Sequence, residues 1–274
     1  MSVVALAPRI DPPLERLGLY RMGMPHLSPG GLSEQWLLRE CGDRHWALIA
    51  DGMRCDDALF TDAEGRPLYA AFCSSSLRLH TPGEPLLGLE LAIHSTVWRV
   101  GGSRIASVHD FRIHGTELGR LLLISTFVAH GRPDNNRSIL RRQPAQVPDL
   151  PEPPNHVAEF AAAARMAVRA LPSKAPGGEP VFAFRPCPAL DFNAVGLLYF
   201  PSFSAIADRA RWHVAAPSSS AARWARARDV HYLGNIDPGE TVAVYARDSS
   251  SSAVLELWAE NRQRIAIVSD LSID

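Results

Sequence analysis

The chain is poor in lysine and cysteine. Its 274 residues include one lysine, Lys174, within the Pro/Gly-rich stretch 172–180, so Schiff-base chemistry has a single candidate in an unfavourable place. The four cysteines are far apart and form no CxxC pair, which argues against a structural zinc site and a redox couple. His94, His109 and His114 lie on predicted strands without ligand spacing. We therefore expect free thiols and no metal site.

Excess charge and long apolar runs are also missing. The net charge of -1 leaves no surplus of basic groups for phosphate backbones, so nucleic acid is not an expected partner. No apolar run reaches the roughly 18 residues of a bilayer span. The opening MSVVALAPRIDPP is too short and too rich in proline for a signal peptide. These features predict a reduced, cytoplasmic protein that does not bind membranes.

Apolar residues are abundant, at 46% of the chain, and can fill the cores of two units of ordinary size. In the first half, Ser33 can cap a helix that runs through Trp36 towards Gly42, a natural stop or bend. Apolar residues then alternate with period two, or form nearly continuous runs, which predicts strands. These strands are expected at 68–79, 87–97, 105–113 and 121–128.

The second half repeats this plan after a linker. Residues 143–180 are rich in Pro, Ala and Glu and include one helical run, 157–170. A strand-like stretch at 181–184 and a helix entered at Pro201 follow, and further strands are expected at 230–233, 241–246, 253–259 and 264–269. We predict a duplicated α+β fold. Its parts are an N-terminal unit at 1–145, a linker with a helix at 146–178 and a C-terminal unit at 179–274.

Residues 20–46, YRMGMPHLSPGGLSEQWLLRECGDRHW, combine a turn, glycines and a helix entry. The N-terminus of a helix presents unpaired N–H groups and partial positive charge, which suits an oxyanion beside a nucleophile or proton donor. Gly30, Gly31 and Leu32 would offer backbone N–H groups to an enolate, and Ser33 completes this candidate substrate-binding set. A flexible helix entry is the competing interpretation.

Tyr20 and His26 are the candidate catalytic residues of this block. A phenol acts as a nucleophile only where hydrogen bonds or a positive field stabilise phenolate, and the helix entry could supply part of that field. His26 could bind a thioester carbonyl or act as an acid or base near neutral pH. The alternatives are a strand-end tyrosine with its hydroxyl at the surface and a histidine that only pins a turn.

A second polar helix entry is the run Asp191-Phe-Asn193-Ala-Val-Gly196-Leu-Leu-Tyr199. Asp191 and Asn193 are candidate catalytic residues that could face the first site across a pseudo-twofold axis. Gly196 and Tyr199 are candidate substrate-binding residues. Capping is the simpler explanation of Asp191 alone. The run resembles the helix entry of hotdog thioesterases.

The first block resembles a more specific family. Its runs GMPHL, GGLSE, CGD and HW are similar to the leinamycin-type bifunctional acyltransferase/decarboxylases of polyketide biosynthesis. The resemblance implies a double hotdog fold, with two central helices each wrapped by an antiparallel sheet. It also implies decarboxylation of (methyl)malonyl-CoA and transfer of the acyl group to an acyl carrier protein, with no cofactor beyond the CoA thioester. A tyrosine is the proposed nucleophile of that family, which implies this role for Tyr20.

Other functions stay open. Residues 26–30 match the H-x-x-x-G start of polyketide dehydratase motifs, and a dehydratase could pair His26 with Asp191 across a carrier-bound acyl chain. A thioesterase on such chains is the related alternative, and a catalytically silent hotdog that binds carrier proteins as a scaffold is a different class. The charged loop 134–142 could contact the phosphates of CoA or of a carrier arm, or be solvated. Two chains could form a homodimer through their sheets.

Overall fold

The computed structural model describes residues 14–132, 135–170, 177–215, 225–248 and 251–271, which form two repeats of helix and sheet. Lys174 and the segment MSVVALAPRIDPP lie outside these residues. The strands of the first repeat are β1 Leu14–Arg21, β2 Leu27–Ser28, β3 Gly31–Leu32, β4 Phe60–Thr61, β5 Pro67–Leu79, β6 Glu90–Arg99, β7 Arg104–Ile113, β8 Thr116–His130 and β9 Ile139–Arg141. Those of the second are β10 Phe182–Phe184, β11 Ala227–Tyr232, β12 Val242–Asp248, β13 Ser251–Ala259 and β14 Arg264–Asp270. The helices are α1 Glu34–Met53, α2 Asn155–Arg169, α3 Pro188–Asp191 and α4 Phe200–Val214, and 3-10 turns lie at Met24–His26 and Asn136–Ser138.

One antiparallel sheet runs through both repeats in the order β1-β6-β7-β8-β5-β11-β14-β13-β12-β10. Strands β6, β7 and β8 pair as successive hairpins, as do β12, β13 and β14, and the pairing of β5 with β11 joins the two halves. The period-two pattern predicted in β6 is confirmed, because Leu91, Ile93 and Val97 are fully buried on one face. The sheet wraps α1 in the first half and α4 in the second.

Helix α1 begins at the predicted cap, where the Ser33 Oγ accepts the Trp36 N–H at 3.4 Å. The expected stop or bend at Gly42 is wrong, because the helix continues to Met53. A Cβ atom at Gly42 would lie 2.9 Å from two ring carbons of Phe200. Glycine is therefore needed here for the close approach of α1 and α4, and not for ending the helix.

A buried ion cluster locks the two halves together. Arg228 on β11 has 1% of its side chain exposed and reaches Glu34 on α1 at 2.7 Å. The same guanidinium contacts Asp208 on α4 at 2.5 Å and Asp270 on β14 at 2.7 Å. Four separate elements thus meet at one arginine, whose fork of donors suits several carboxylates at once.

The predicted linker helix is present as α2 and packs on the sheet of the first half. Val157 and Ala161 are buried against a cluster that includes Val108 of β7 and Ile124 of β8. The division at residues 145 and 178 stays a prediction, since the sheet itself is continuous. Across the described ranges no helix is both long and apolar enough to cross a bilayer.

Candidate active site

A cleft of about 680 Å³ lies between the two repeats. The first repeat contributes the middle of α1, β5, β8 and the 136–141 segment, and the second contributes the 192–203 helix entry and the 232–235 turn. This volume is in the usual range for small-molecule sites. The cleft therefore lies at the entry to α4, the central helix of the second repeat.

The inner wall of the cleft is apolar and rich in aromatic rings. The rings that line it are Trp46, Tyr69, Phe72, Phe192, Tyr199, Phe200, Phe203 and Tyr232. Phe200 and Phe203 are buried and the other six are half-buried. A water-excluding wall of this kind favours an apolar ligand and strengthens hydrogen bonds made beside it.

Asp191 holds the α4 entry in shape. Its Oδ2 accepts the Cys187 N–H at 2.7 Å, and its backbone carbonyl accepts both the Tyr199 N–H at 2.8 Å and the Ser202 hydroxyl at 2.9 Å. The side chain is buried, and the residue does not line the cleft. These contacts describe a structural role, although Asp191 is not the cap of α4, whose N-cap residue is Tyr199.

Asn193 lines the cleft and makes the turn that precedes α4. Its Oδ1 accepts the N–H groups of Val195 at 3.2 Å and Leu197 at 3.0 Å, while Gly196 takes a positive φ of 76°. Within the described residues its Nδ2 group has no hydrogen-bond partner. The side-chain NH₂ is thus the part of Asn193 that remains for a ligand.

Asn136 clamps the first repeat onto this turn. Its side-chain NH₂ donates to the carbonyls of Gly196 at 2.6 Å and Ile236 at 2.7 Å, and its backbone N–H donates to Asp237 Oδ1 at 2.7 Å. The side-chain oxygen of Asn136, Oδ1, accepts a hydrogen bond from His130 Nε2 at 3.0 Å. Sequence reasoning assigned this loop to phosphate contact or solvent and missed the clamp, because its partners are 60 or more residues away.

Charged groups stand at the rim of the cleft. Among the described lining residues Asp43 supplies the carboxylate, and it is exposed on α1 next to Gly42. Arg137 and Arg141 are exposed on the opposite segment, and Arg137 is also paired with Glu240. Asp43 belongs to the CGD run of the first block, but sequence reasoning assigned it no catalytic role, so it was not predicted as a site residue.

Two of the three tyrosines that line the cleft, Tyr199 and Tyr232, have a raised pKa. Burial raises the pKa of Tyr199, an effect opposed by Arg39 and reinforced by Asp43. Burial also raises the pKa of Tyr232, whose hydroxyl pairs with Ser75 Oγ at 3.0 Å. Both phenols are therefore neutral at physiological pH.

The Tyr20 hydroxyl lies outside the cleft, in a polar group on α1. It donates a short hydrogen bond to Glu40 and accepts one from Arg44 Nη1 at 3.1 Å. Burial first, and the Glu40 carboxylate second, raise the pKa of Tyr20 to about 12, and Arg44 opposes this more weakly. Phenolate is therefore disfavoured, so this environment does not supply the field that a nucleophilic tyrosine requires. The catalytic role of Tyr20 stays a prediction.

The rest of the first helix entry is closed. His26 Nδ1 accepts the Gly23 N–H at 2.8 Å, and its ring packs edge-on against Trp36 at 4.7 Å. Pro82 covers Gly31, since a Cβ there would lie 3.3 Å from its ring. Gly30 and the buried Leu32 border a void of only about 20 Å³, too small for an acyl group, and Ser33 serves as the α1 cap. The structure therefore brings together Asn193 and Tyr199 in the cleft, whereas the described lining includes none of the candidates of the first block, which are Tyr20, His26, Gly30, Gly31, Leu32 and Ser33.

A chain of buried hydrogen bonds crosses the first repeat beneath α1. Its members, in order, are Arg44, Ser95, His109, Ser107, His45 and Ser125. Each link measures 2.7 or 2.8 Å, and the two histidines and three serines have no exposed surface. Among the described residues no group of three or more His, Cys, Asp or Glu side chains could hold a metal ion.

One direction of this chain satisfies every polar group in it. Arg44 Nε can only donate, so Ser95 accepts that proton and has its own hydroxyl proton to donate to Nδ1 of His109. His109 then carries its proton on Nε2 and donates to Ser107, which repeats the pattern at His45. Burial lowers the pKa of His45 to about 3, and burial first, with the nearby Arg44 guanidinium adding to it, lowers that of His109. Both imidazoles are therefore neutral.

Comparison with solved structures gives the fold a name. An acyl-ACP thioesterase from Bacteroides thetaiotaomicron has a TM-score of 0.62 at 13% identity, over 93% of this chain and 96% of that chain. A 12:0-ACP thioesterase from Umbellularia californica has a TM-score of 0.59 at 10% identity, over 93% and 95% of the two chains. No protein-family model matches, and no curated sequence matches either.

The chain has an α+β double hotdog fold, as predicted from its repeated helix and sheet. The similarity to the two thioesterases extends along nearly the whole of each chain, so both hotdog units are included. Identity this low establishes the fold alone. Membership of the leinamycin-type family stays a prediction.

Proposed function

We propose that the protein hydrolyses acyl thioesters carried by CoA or by an acyl carrier protein. This is the thioesterase alternative drawn from the sequence, in place of decarboxylation with acyl transfer. The observation that supports it most is the free side-chain NH₂ of Asn193 at the wall of an apolar cleft. The two fold neighbours are both thioesterases named for acyl-ACP substrates, which points in the same direction.

The acyl group would lie against the aromatic wall, with its carbonyl at the α4 entry. Hydrolysis develops negative charge on that oxygen, and donors held in place beforehand stabilise it best. The Asn193 NH₂ is one such donor at the entry to α4. Asn136 and Asp191 would act by positioning this turn.

Asp43 is the candidate base. Its carboxylate would take a proton from water as the water oxygen attacks the carbonyl carbon. The resulting tetrahedral oxyanion then collapses, the carbon–sulfur bond breaks, and the thiolate receives the proton from Asp43. The products are a carboxylic acid and a free thiol. Arg137 and Arg141 at the rim would contact the phosphates of the thiol carrier.

The cleft suits this reaction better than dehydration. A dehydratase needs an acid and a base on opposite sides of the acyl chain, and no histidine is among the described lining residues. His26 is held in a turn of the first repeat, and Asp191 is buried with its carboxylate hydrogen-bonded to the Cys187 N–H. The pair expected for dehydration therefore does not meet in the cleft.

The proposal is tested by following thiol release from a panel of acyl-CoA thioesters. Asn193→Asp keeps the oxygen that accepts from Val195 and Leu197 and removes the NH₂ donor, so we expect kcat to fall about 100-fold with the fold intact. Asn261→Asp is the matched control, because Asn261 also accepts a backbone N–H, from Gln263, but is exposed and outside the cleft.

A second pair of variants tests the base. Asp43→Asn should lower kcat by about 100-fold, while Asp56→Asn, exposed and distant from the cleft, should not change it. Methylmalonyl-CoA is included, and its mass is followed for loss of CO₂. Loss of CO₂ without thiol release would overturn the proposal in favour of the decarboxylase. Binding of a carrier protein with no turnover would overturn it in favour of the scaffold.

A further inference from the structure

The cleft contains far more aromatic residues than the chain average. Eight of its 28 described lining residues are Phe, Tyr or Trp, whereas these make up 8% of the sequence. Phe72, Tyr199 and Tyr232 are among those that are half-buried, so part of each side chain remains accessible. The wall thus offers aromatic ring surface to a ligand. A tunnel that binds an alkyl chain needs little more than aliphatic side chains.

The polar ends of two of these rings are turned into the protein. The Trp46 indole N–H donates to the Ala70 carbonyl at 3.0 Å. The Tyr232 hydroxyl pairs with Ser75 Oγ at 3.0 Å. Because the protein satisfies both polar groups, these side chains have only their apolar ring surface left to offer a ligand.

The rings also hold one another in fixed orientations. Phe72 and Phe200 lie 4.2 Å apart between centroids. Phe200 meets Tyr199 edge-on at 5.3 Å and 90°, and meets Tyr232 at 6.0 Å and 83°. Edge-to-face geometry is the preferred arrangement of aromatic pairs. A preformed set of ring edges and faces suits a further flat ring, which has few rotatable bonds to immobilise on binding.

We propose that this cleft takes thioesters of aromatic acyl groups in preference to those of saturated acyl groups. That the ligand is a thioester rests on the proposed function. That its acyl group is aromatic rests on the aromatic wall of the cleft. Aromatic contacts add to simple area burial, and their usual strength corresponds to a preference of up to about tenfold over a saturated ring of the same carbon skeleton.

The test compares the CoA thioesters of phenylacetate, cyclohexylacetate and octanoate, which have equal numbers of acyl carbons. We expect kcat/KM to be about five- to tenfold higher for phenylacetyl-CoA than for cyclohexylacetyl-CoA. Phe72→Leu should bring this ratio close to one, and Tyr69→Leu serves if that variant does not fold. Trp212→Leu is the control, since Trp212 is 70% exposed and outside the cleft, and its ratio should match the wild type.

Binding of the corresponding thioethers, which cannot be hydrolysed, separates this inference from the proposed function. The phenethyl thioether could bind more tightly than the other two while no thioester is hydrolysed. That result would support the preference for aromatic acyl groups and overturn the proposed hydrolase function. If the thioesters are hydrolysed, but kcat/KM for cyclohexylacetyl-CoA or octanoyl-CoA equals or exceeds that for phenylacetyl-CoA, only the preference for aromatic acyl groups is overturned. Failure of all three thioethers to bind, with no hydrolysis of any thioester, would overturn both the aromatic preference and the proposed hydrolase function.

Discussion

Mild acid should destabilise this protein through its buried histidines. The unfolded chain exposes His45 with an ordinary pKa near 6.5, whereas burial lowers its pKa in the folded state to about 3. Above pH 6.5 both states are neutral at this residue. Below it the unfolded chain binds a proton that the folded chain does not, so the free energy of unfolding falls with pH until about pH 3.

The size of the effect follows from these two pKa values. Lowering the pH from 7 to 5 should remove about 2 kcal/mol of unfolding free energy through His45 alone. His109 acts in the same direction because its pKa is also lowered. Carboxylates with ordinary pKa values titrate below this window, and the buried Glu34, whose pKa is raised by burial, acts in the opposite direction to the histidines.

Urea unfolding at pH 7, 6 and 5, followed by tryptophan fluorescence, measures this dependence. His45→Gln keeps a neutral polar side chain and should reduce the pH-dependent loss by about 2 kcal/mol, whatever its effect at pH 7. His80→Gln is the control, since His80 is exposed, and it should retain the full wild-type dependence. Equal pH dependence in the wild type and His45→Gln would refute the claim that His45 is buried and neutral in the folded protein.

Three further predictions concern the junction of the two hotdog units. Arg228→Met should lower the free energy of unfolding by about 3 kcal/mol or more in urea titrations, because it leaves the mostly buried carboxylate of Glu34 without its arginine partner; a change below about 1 kcal/mol would contradict the cluster's role. Gly42→Val should lower the melting temperature by forcing the Phe200 ring aside, while Gly83→Val, with open space around it, should leave it unchanged. Asn136→Ala should lower the free energy of unfolding by about 2 kcal/mol and raise KM for acyl-CoA, and an unchanged KM would show that the clamp does not position the site.

Local periodicity was enough to predict most of the fold. Alternating apolar residues marked β6 and β7, and the Ser33 cap marked the start of α1, because both signals arise from neighbours in the sequence. The same local logic failed at Gly42, which looked like a helix end. Its true constraint is the ring of Phe200, far along the chain, which a local pattern cannot show.

The candidate site was only partly predictable for the same reason. Asn193 and Tyr199 stand in a recognisable run, and both line the cleft. Asp43 and Asn136 became candidates only in the folded structure, which brings them to the α4 entry, since no local pattern gave either of them a role in the site. The distinctive block at residues 20–46 drew attention to the first helix entry, where Pro82 and Leu32 leave no room for an acyl group.

The central claim is that the Asn193 NH₂ stabilises the oxyanion of a thioester bound in the cleft. The most direct measurement is kcat for acyl-CoA hydrolysis by Asn193→Asp beside Asn261→Asp, with melting temperatures recorded for both. The account predicts about a 100-fold loss of kcat for Asn193→Asp alone, at a melting temperature close to that of the wild type. Wild-type kcat in a folded Asn193→Asp variant would contradict it.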